Sequence, residues 1–265
     1  MDSQGLTNRV MCAYRRPMLR RTLPLFLVAL GAVGASCADD GGTDTTLTVG
    51  AAASLTAPFE ELGAAFEAEH PGVTVQFTFG ASSDVARQIG EGAPIDVFAS
   101  ADTKNMTAAA DTRGLVGEAQ VFATNTLQII VAPGNPKGIT GLADLARGDV
   151  LVVTCSPEVP IGRYTQQVLE AAGVKLTPAS LEENVKGIVS KVTLGEADAG
   201  VVYRTDVLAA GAKASGVDIP DDVDVTAEYP IAALKGSGPA AADFVGFVLS
   251  APGQQILSQF GFGAP

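Results

Sequence analysis

From residue 47 onward, short runs rich in β-branched residues alternate with longer amphipathic stretches, and this alternation restricts the fold more than any other feature. Strands are predicted at 47–50, 73–79, 96–99, 127–131, 150–154, 199–202 and 231–234. Helices are predicted at 57–69, 84–91, 104–112, 141–146, 164–172, 185–194, 204–210, 239–250 and 252–260. Such a pattern is typical of an α/β fold with mixed, mainly parallel sheets.

Two stretches, 123–126 and 225–230, are interpreted as the places where the chain passes from one lobe to the other. They predict a first lobe, called lobe I, made of residues 47–126 and 228–265. The second, lobe II, is made of residues 127–227 and is inserted between them. Because the chain crosses twice, we expect a hinge of two strands.

The points where predicted strands pass into helices are rich in small and polar residues. They lie at 51–54, 80–83, 160–162 and 183–185. In an open α/β sheet, ligands bind beyond the carboxyl ends of the strands. Helix N-termini at that edge present unpaired N–H groups and a partial positive charge. Several such helix starts, brought together, would bind an anion without a lysine or an arginine.

The first 36 residues have the pattern of an export signal. An apolar run at 23–35, too short to span a bilayer, follows a segment with four arginines and ends at Ser36-Cys37. Residues 33–37 (VGASC) resemble a lipobox, where a bacterial prolipoprotein is cleaved before a cysteine that then carries acyl chains. We predict a signal peptide at 1–36, lipidation of Cys37 and a polar tether at 37–46 on the outer face of the cell membrane. Secretion into the periplasm with Cys37 unmodified is the alternative.

The charge of the chain excludes one class of partner. Without residues 1–36 the chain has 12 Lys and Arg against 28 Asp and Glu, a net charge of −16. Nucleic-acid binding depends on basic patches, so no nucleic acid is expected as a partner. Net charge also cannot attract an anion to this protein. Cys155 follows an apolar run, which indicates a strand end or a core position rather than a nucleophile.

Three motifs stand in order along the chain. They are AAASLT at 51–56, SSDVARQI at 82–89 with GAPIDVFASAD at 92–102, and GEADAGVVY at 195–203. Together they resemble the periplasmic molybdate-binding protein family, whose members have the two-lobed type II periplasmic-binding-protein fold. The resemblance implies the substrate-binding component of an ABC importer, which captures molybdate or tungstate by hinge closure and delivers it to a membrane permease with its ATPase. It also implies a monomer that is not an enzyme and needs no cofactor.

The resemblance further implies which residues bind the anion. In lobe I, Ser54 and Ser82 would each offer a hydroxyl and a backbone N–H. In lobe II, Ile161 and Val185 would offer backbone N–H groups, and Tyr203 would offer its phenol. Closure completes this cage, and molybdenum is held as its oxyanion without a direct metal ligand from the protein. A cage of donors suits molybdate, a dianion with acceptors only, and penalises a phosphate that carries a proton.

Other interpretations of these residues stay open from the sequence. In one alternative, Ser54 and Ser82 are ordinary helix N-caps, and Tyr203 is a packing residue with its hydroxyl in water. In another alternative, the bound anion is sulfate, which differs from molybdate mainly in size. A secreted serine hydrolase using Ser54 or Ser83 would need a base, and the sole histidine, His70, lies in a helix-ending turn. A further alternative, that the chain is the effector domain of a transcription regulator, disagrees with the predicted export signal.

Overall fold

The structure, a computed structural model, describes residues 45–265. The predicted signal peptide, Cys37 and nearly all of the tether lie outside the described residues. In chain order the strands are β1 (Thr45–Ala52), β2 (Val73–Gly80), β3 (Val97–Ala99), β4 (Leu115–Asn125), β5 (Leu127–Val131), β6 (Val152–Cys155), β7 (Ser180–Glu182), β8 (Ala199–Tyr203), β9 (Ser215–Asp218) and β10 (Ala227–Leu234).

The α-helices are α1 (Thr56–Glu69), α2 (Ser82–Gly90), α3 (Thr103–Arg113), α4 (Pro160–Ala171), α5 (Val185–Thr193), α6 (Arg204–Ala210), α7 (Pro239–Leu249) and α8 (Ala251–Gln259). Short 3-10 helices lie at Ala53–Leu55, Leu142–Ala146 and Gly211–Lys213. Within residues 45–265, none of the helices combines the length and the hydropathy that a bilayer crossing requires.

In the described part of the chain the strands form two five-stranded sheets. Their spatial orders are β2-β1-β3-β10-β4 and β7-β6-β8-β5-β9. Each sheet contains parallel and antiparallel pairs, which confirms the predicted mixed α/β fold. Contrary to the prediction, parallel pairs do not predominate, because β10 and β5 each run antiparallel to both of their neighbours.

Each predicted strand and helix coincides with an observed element, although the ends differ by a few residues. Helix α4 begins at Pro160 rather than at 164, because the fixed φ of proline suits the first helical position. Segment 141–146 forms a 3-10 helix instead of an α-helix. Strands β4, β7 and β9 were not predicted, because their many exposed residues weaken the apolar pattern.

The chain passes between the two sheets at adjacent points. Only Thr126 separates Asn125, the last residue of β4, from the start of β5. The chain returns through residues 219–226 to β10, whose first residue, Ala227, pairs with Asn125. The names lobe I and lobe II are kept for the parts built around the first and the second sheet. The exact lobe boundaries and the hinge motion stay predictions.

The two lobes have cores of different composition. Phe59 and Phe66 of α1 contact Phe244 of α7, with ring centroids 6.2 and 5.2 Å apart and the rings edge to face. In lobe II, aliphatic side chains such as Ile129 and Ile188 are fully buried under the second sheet. Both cores hold the carboxyl ends of their strands in place, and these ends lie next to each other.

Candidate anion-binding site

A small cavity lies between the lobes, beyond the ends of β1, β2 and β8. Its volume is about 20 Å³. Pockets for drug-sized ligands usually have roughly 300–1,000 Å³, so this cavity suits a smaller ligand. Its wall contains uncharged residues only, namely Ala52, Ala53, Ser54, Gly80, Ala81, Ser82, Ala101, Val159, Pro160, Ile161, Asn184, Val185 and Tyr203. The structure therefore brings together all five residues that the sequence predicts, although their role as ligand donors stays a prediction.

Ser82 is the first residue of α2 and is almost fully buried. Its hydroxyl oxygen accepts a hydrogen bond from the backbone N–H of Ala101 at 3.0 Å. The interpretation as an N-cap is wrong, because Ala81 occupies that position and the helix has no side-chain cap. Since its oxygen is held by a donor, the Ser82 hydroxyl keeps its own hydrogen for a group in the cavity.

Ser54 lies in the 3-10 helix that joins β1 to α1, and it is not an N-cap either. Its hydroxyl forms a hydrogen bond with the hydroxyl of Tyr229, with the two oxygens 3.1 Å apart. Tyr229 is fully buried and stands behind Ser54, outside the wall of the cavity. No role was predicted for Tyr229, because it falls in a segment interpreted as a crossing between lobes.

Two helix N-termini form most of the lobe II wall. Ile161 is the second residue of α4, directly after Pro160, and Val185 is the first residue of α5. First-turn N–H groups have no partner within their own helix and lie at its positive end. The Asn184 side chain caps α5 through the N–H of Lys186 at 3.0 Å. This cap does not use the N–H of Val185, which stays available at the cavity wall.

Tyr203, the last residue of β8, is only 2% exposed, so the interpretation of its hydroxyl as solvated is wrong. That hydroxyl is buried without a hydrogen-bond partner of normal geometry in the described structure, although the phenol of Tyr229 lies near it. Burial above all, and then the neighbouring Tyr229, raise the pKa of Tyr203 well above its usual value. Tyr203 is therefore a protonated phenol whose hydrogen lacks an acceptor, at the wall of a cavity lined by other donors.

The chain is similar to one protein family over nearly the whole described structure. The family model of the bacterial extracellular solute-binding proteins matches residues 47–263. The chain belongs to this family. The molybdate-binding protein ModA of Mycobacterium tuberculosis is 44% identical over 243 residues, covering 90% of this chain and 93% of that protein. ModA of Escherichia coli K12 is 31% identical over 262 residues, covering 92% and 99%.

Solved structures of solute-binding proteins have the same fold. The substrate-binding domain of a putative molybdenum ABC transporter from Clostridium difficile has a TM-score of 0.63 and 28% identity. The periplasmic molybdate-binding protein of Azotobacter vinelandii has a TM-score of 0.70 and 24% identity. Both alignments cover 83% of this chain and 99% of the other. These similarities confirm the predicted periplasmic-binding-protein fold.

In this solute-binding protein, an ion pair crosses from lobe II to lobe I beside the cavity. The guanidinium of Arg163, in α4, contacts the carboxylate of Asp102, and both side chains are largely buried. Asp102 also caps α3 by accepting the N–H of Asn105 at 2.8 Å. Next to this pair, the Tyr164 hydroxyl donates to the carbonyl oxygen of Ala101 at 3.3 Å. These contacts join residues about 60 positions apart, and sequence spacing gave no signal for them.

Two carboxylates near the site each form an ion pair with a basic side chain. Asp84, in the first turn of α2, is half exposed, lies 3.6 Å from Arg87 and does not line the cavity. Asp206, beneath Tyr203, is fully buried and lies 3.1 Å from the ammonium of Lys186. Burial raises the pKa of Asp206, and Lys186 opposes this shift. The local charge is thereby balanced around an uncharged cavity.

The histidine of the chain lies far from the candidate serines. His70 follows the C-terminus of α1, a helix of 14 residues that begins just after Ser54, about 20 Å away along its axis. Its Nδ1 contacts the carbonyl oxygen of Phe66 at 2.9 Å. Ser54 and Ser83 therefore have no histidine base within reach in the described structure. Among residues 45–265 there is also no group of three or more His, Cys, Asp and Glu side chains that fits a metal ion.

Proposed function

We propose that this protein is the substrate-binding component of an ABC importer and captures molybdate, or the isosteric tungstate, by hinge closure. The observation that carries the proposal is a small cavity whose wall offers hydroxyl and N–H donors from two lobes and no charged group. The names of the M. tuberculosis and E. coli relatives support the same ligand.

The chemistry of the wall matches a fully deprotonated tetrahedral dianion. The proposed donors are the hydroxyls of Ser54, Ser82 and Tyr203 and the backbone N–H groups of Ser54, Ser82, Ile161 and Val185. A hydrogen bond to a charged group contributes roughly 1.5–3 kcal/mol. About six to eight of them, less the cost of ordering and desolvation, give roughly −10 to −12 kcal/mol. The anion itself is held without a cofactor and without direct coordination of molybdenum by the protein.

The closed form, on this proposal, docks as a monomer on a membrane permease that is driven by an ATPase. The protein performs no chemistry on its ligand. A serine-reactive covalent probe should therefore leave Ser54 and Ser83 unlabelled. Labelling of either serine would favour a hydrolase instead.

We also propose that Cys37 carries the lipid anchor and that the protein faces the outside of the cell membrane. The lipobox-like residues 33–37 support this assignment. Globomycin, an inhibitor of lipoprotein signal peptidase, should then block processing at Cys37. Normal maturation in its presence would mean ordinary secretion.

The function is tested by calorimetric titration of the purified protein, with Cys37→Ser to prevent acylation, against molybdate, tungstate, sulfate and phosphate. We expect sub-micromolar binding of molybdate and tungstate and much weaker binding of the other two. Ser54→Ala/Ser82→Ala is the matched variant with fewer donors, and it should bind molybdate at least tenfold more weakly. Absence of molybdate binding, or equally tight sulfate binding, would overturn the proposal.

A further inference from the structure

We infer that Tyr229, outside the cavity wall, positions the Ser54 hydroxyl as a donor to the anion, because the buried Tyr229 hydrogen has no other acceptor of normal geometry among the described residues. The inference rests on the proposed function and adds a positioning residue to it. The four residues in question are Ser54, Tyr229, Asn125 and Thr205, and each is at most 5% exposed. Water therefore does not supply their hydrogen-bond partners.

The orientation of the Asn125 amide follows from its neighbours. The backbone N–H of Thr126 lies 3.0 Å from one end of the amide, and because an N–H only donates, that end is the oxygen Oδ1. The other end is therefore Nδ2, which donates to the Thr205 hydroxyl oxygen at 2.9 Å. Nδ2 carries a second hydrogen and has no acceptor capacity.

Tyr229 lies on the same face of the sheet as Asn125. Asn125 pairs with Ala227 and Tyr229 pairs with Ala123, so the two side chains are diagonal neighbours of one antiparallel ladder. Burial raises the pKa of Tyr229, while the neighbouring Ser54 hydroxyl and Asn125 amide oppose that shift. Since Asn125 Oδ1 is held by Thr126 and Nδ2 only donates, the Asn125 amide offers the Tyr229 hydrogen no acceptor at its Nδ2 end.

The direction of the bond between Tyr229 and Ser54 follows from the acceptors at hand. The Tyr229 hydrogen goes to the Ser54 oxygen, 3.1 Å away, because the described residues offer it no other acceptor of normal geometry. The Tyr203 hydroxyl is near, but not in a hydrogen bond of normal geometry. Ser54, having accepted, presents its own hydrogen to the cavity. In the reverse direction, the buried Tyr229 hydrogen would be left without an acceptor, because Nδ2 of Asn125 cannot accept.

This direction has a consequence for specificity. One lone pair of the Ser54 oxygen is used by Tyr229 and its hydrogen points to the cavity, so Ser54 serves the ligand as a donor. A fully deprotonated dianion is matched by that donor, whereas hydrogen phosphate, which must also donate, is matched less well. Tyr229 thus contributes to ligand selection without touching the ligand.

A conservative variant isolates the hydroxyl of Tyr229. Its ring packs edge to face against Phe122 and Phe262, at centroid distances of 6.3 and 5.4 Å, and these contacts do not need the oxygen. Tyr229→Phe should therefore fold, and its melting temperature, measured without ligand, checks this. The control is Thr124→Val, which removes a hydroxyl from the opposite face of β4, where it bonds the carbonyl of Ala264. The control should leave molybdate affinity within twofold of wild type.

The test is a double-mutant cycle by calorimetry on wild type, Tyr229→Phe, Ser54→Ala and the double variant, with molybdate and phosphate. Tyr229→Phe should weaken molybdate binding about tenfold and narrow the preference for molybdate over phosphate. In the Ser54→Ala background, the same change should have less than a twofold effect. Equal effects in both backgrounds, or unchanged molybdate affinity in Tyr229→Phe, would overturn the inference.

Failure of the inference can be told apart from failure of the proposed function. The wild-type titration alone decides the function. If the wild type binds sulfate instead of molybdate, the cycle is run with sulfate and the expected non-additivity is the same. If the wild type binds none of these anions, both the function and the role of Tyr229 are wrong.

Discussion

The two sides of the cavity offer their donors in different ways. On the lobe I side, the Ser54 and Ser82 hydroxyls are already hydrogen-bonded to protein groups, at 3.1 and 3.0 Å. On the lobe II side, the donors are N–H groups at the starts of α4 and α5 and the Tyr203 hydroxyl, which lacks a partner of normal geometry.

The donors of lobe I are therefore preorganised, whereas those of lobe II lack hydrogen-bond partners of normal geometry among the described residues. The lobe I hydroxyls are held in position before an anion arrives, so binding needs little reordering there. On the proposed mechanism, the lobe II donors would gain most of their hydrogen bonding from the anion itself and would provide the larger drive toward the closed form. Substitutions on the two sides should therefore affect ligand-free stability and affinity differently.

The largest effect is expected where the backbone of the lobe II side is forced to move. A Cβ at Gly162, in the first turn of α4, would overlap the carbonyl oxygens of Ser156 and Cys155. Gly162→Ala should displace the N–H of Ile161, weaken anion binding about 100-fold and lower the free energy of unfolding by about 1–3 kcal/mol. Calorimetry and chemical denaturation measure both quantities.

The matched control for that variant is Gly246→Ala in α7, where an added Cβ meets no atom within 4 Å. It should leave affinity unchanged and raise stability by about 0.4–1 kcal/mol, since alanine is the better helix former. Unchanged affinity in Gly162→Ala would show that the start of α4 does not bind the anion.

The next two predictions concern one hydroxyl from each side of the cavity. Tyr203→Phe should weaken molybdate binding by about 1.5–3 kcal/mol, yet leave ligand-free stability equal or slightly higher, because a buried hydroxyl without a good partner is removed. Calorimetry and thermal unfolding without ligand test the two parts separately. A clear loss of ligand-free stability would mean that this hydroxyl has a structural partner.

Ser82→Ala is the lobe I counterpart. It should weaken binding by about 1–3 kcal/mol and also lower ligand-free stability by about 1 kcal/mol, because the N–H of Ala101 loses its acceptor. If both hydroxyl variants gave the same pair of effects, the contrast between the lobes would be wrong. Unchanged affinity would remove Ser82 from the site.

A smaller effect is expected from the ion pair between the lobes. Arg163→Gln should weaken binding about fivefold, near 1 kcal/mol, because the largely buried pair with Asp102 joins the two lobes beside the cavity and, on the proposed mechanism, would stabilise closure. Lys104→Gln is the control, since Lys104 and Glu158 are exposed and 4.0 Å apart, and it should change affinity less than twofold. Stopped-flow kinetics should place the Arg163 effect in the dissociation rate.

The smallest effect is a predicted insensitivity to alkaline pH. Tyr203 is the titratable donor in the wall, and its pKa is raised by burial, so its protonated donor form is kept above the usual value of about 10. Molybdate affinity should therefore stay flat from about pH 7 to 10 and fall only above that range. A decline centred near pH 10, the usual pKa of a phenol, would show that the Tyr203 phenol is not buried in the ligand-free protein.

Local patterns in the sequence determined much of this protein. The helix start at Val185 was predicted at that residue and the start of α2 within two residues, because the geometry of a helix start depends on a few adjacent residues. The resemblance of three motifs then predicted five residues of the wall, and the structure places all five around one cavity.

Only the tertiary structure decided how those residues are supported. Ser54 and Tyr229 are 175 positions apart, and Asp102 and Arg163 are 61 apart, so no local pattern pairs them. Strand β4 was missed for the same reason, because its exposed residues are fixed by pairing with β10 rather than by their own propensity. A sequence specifies local geometry through neighbouring residues, whereas contacts between distant segments exist only after the sheets have assembled.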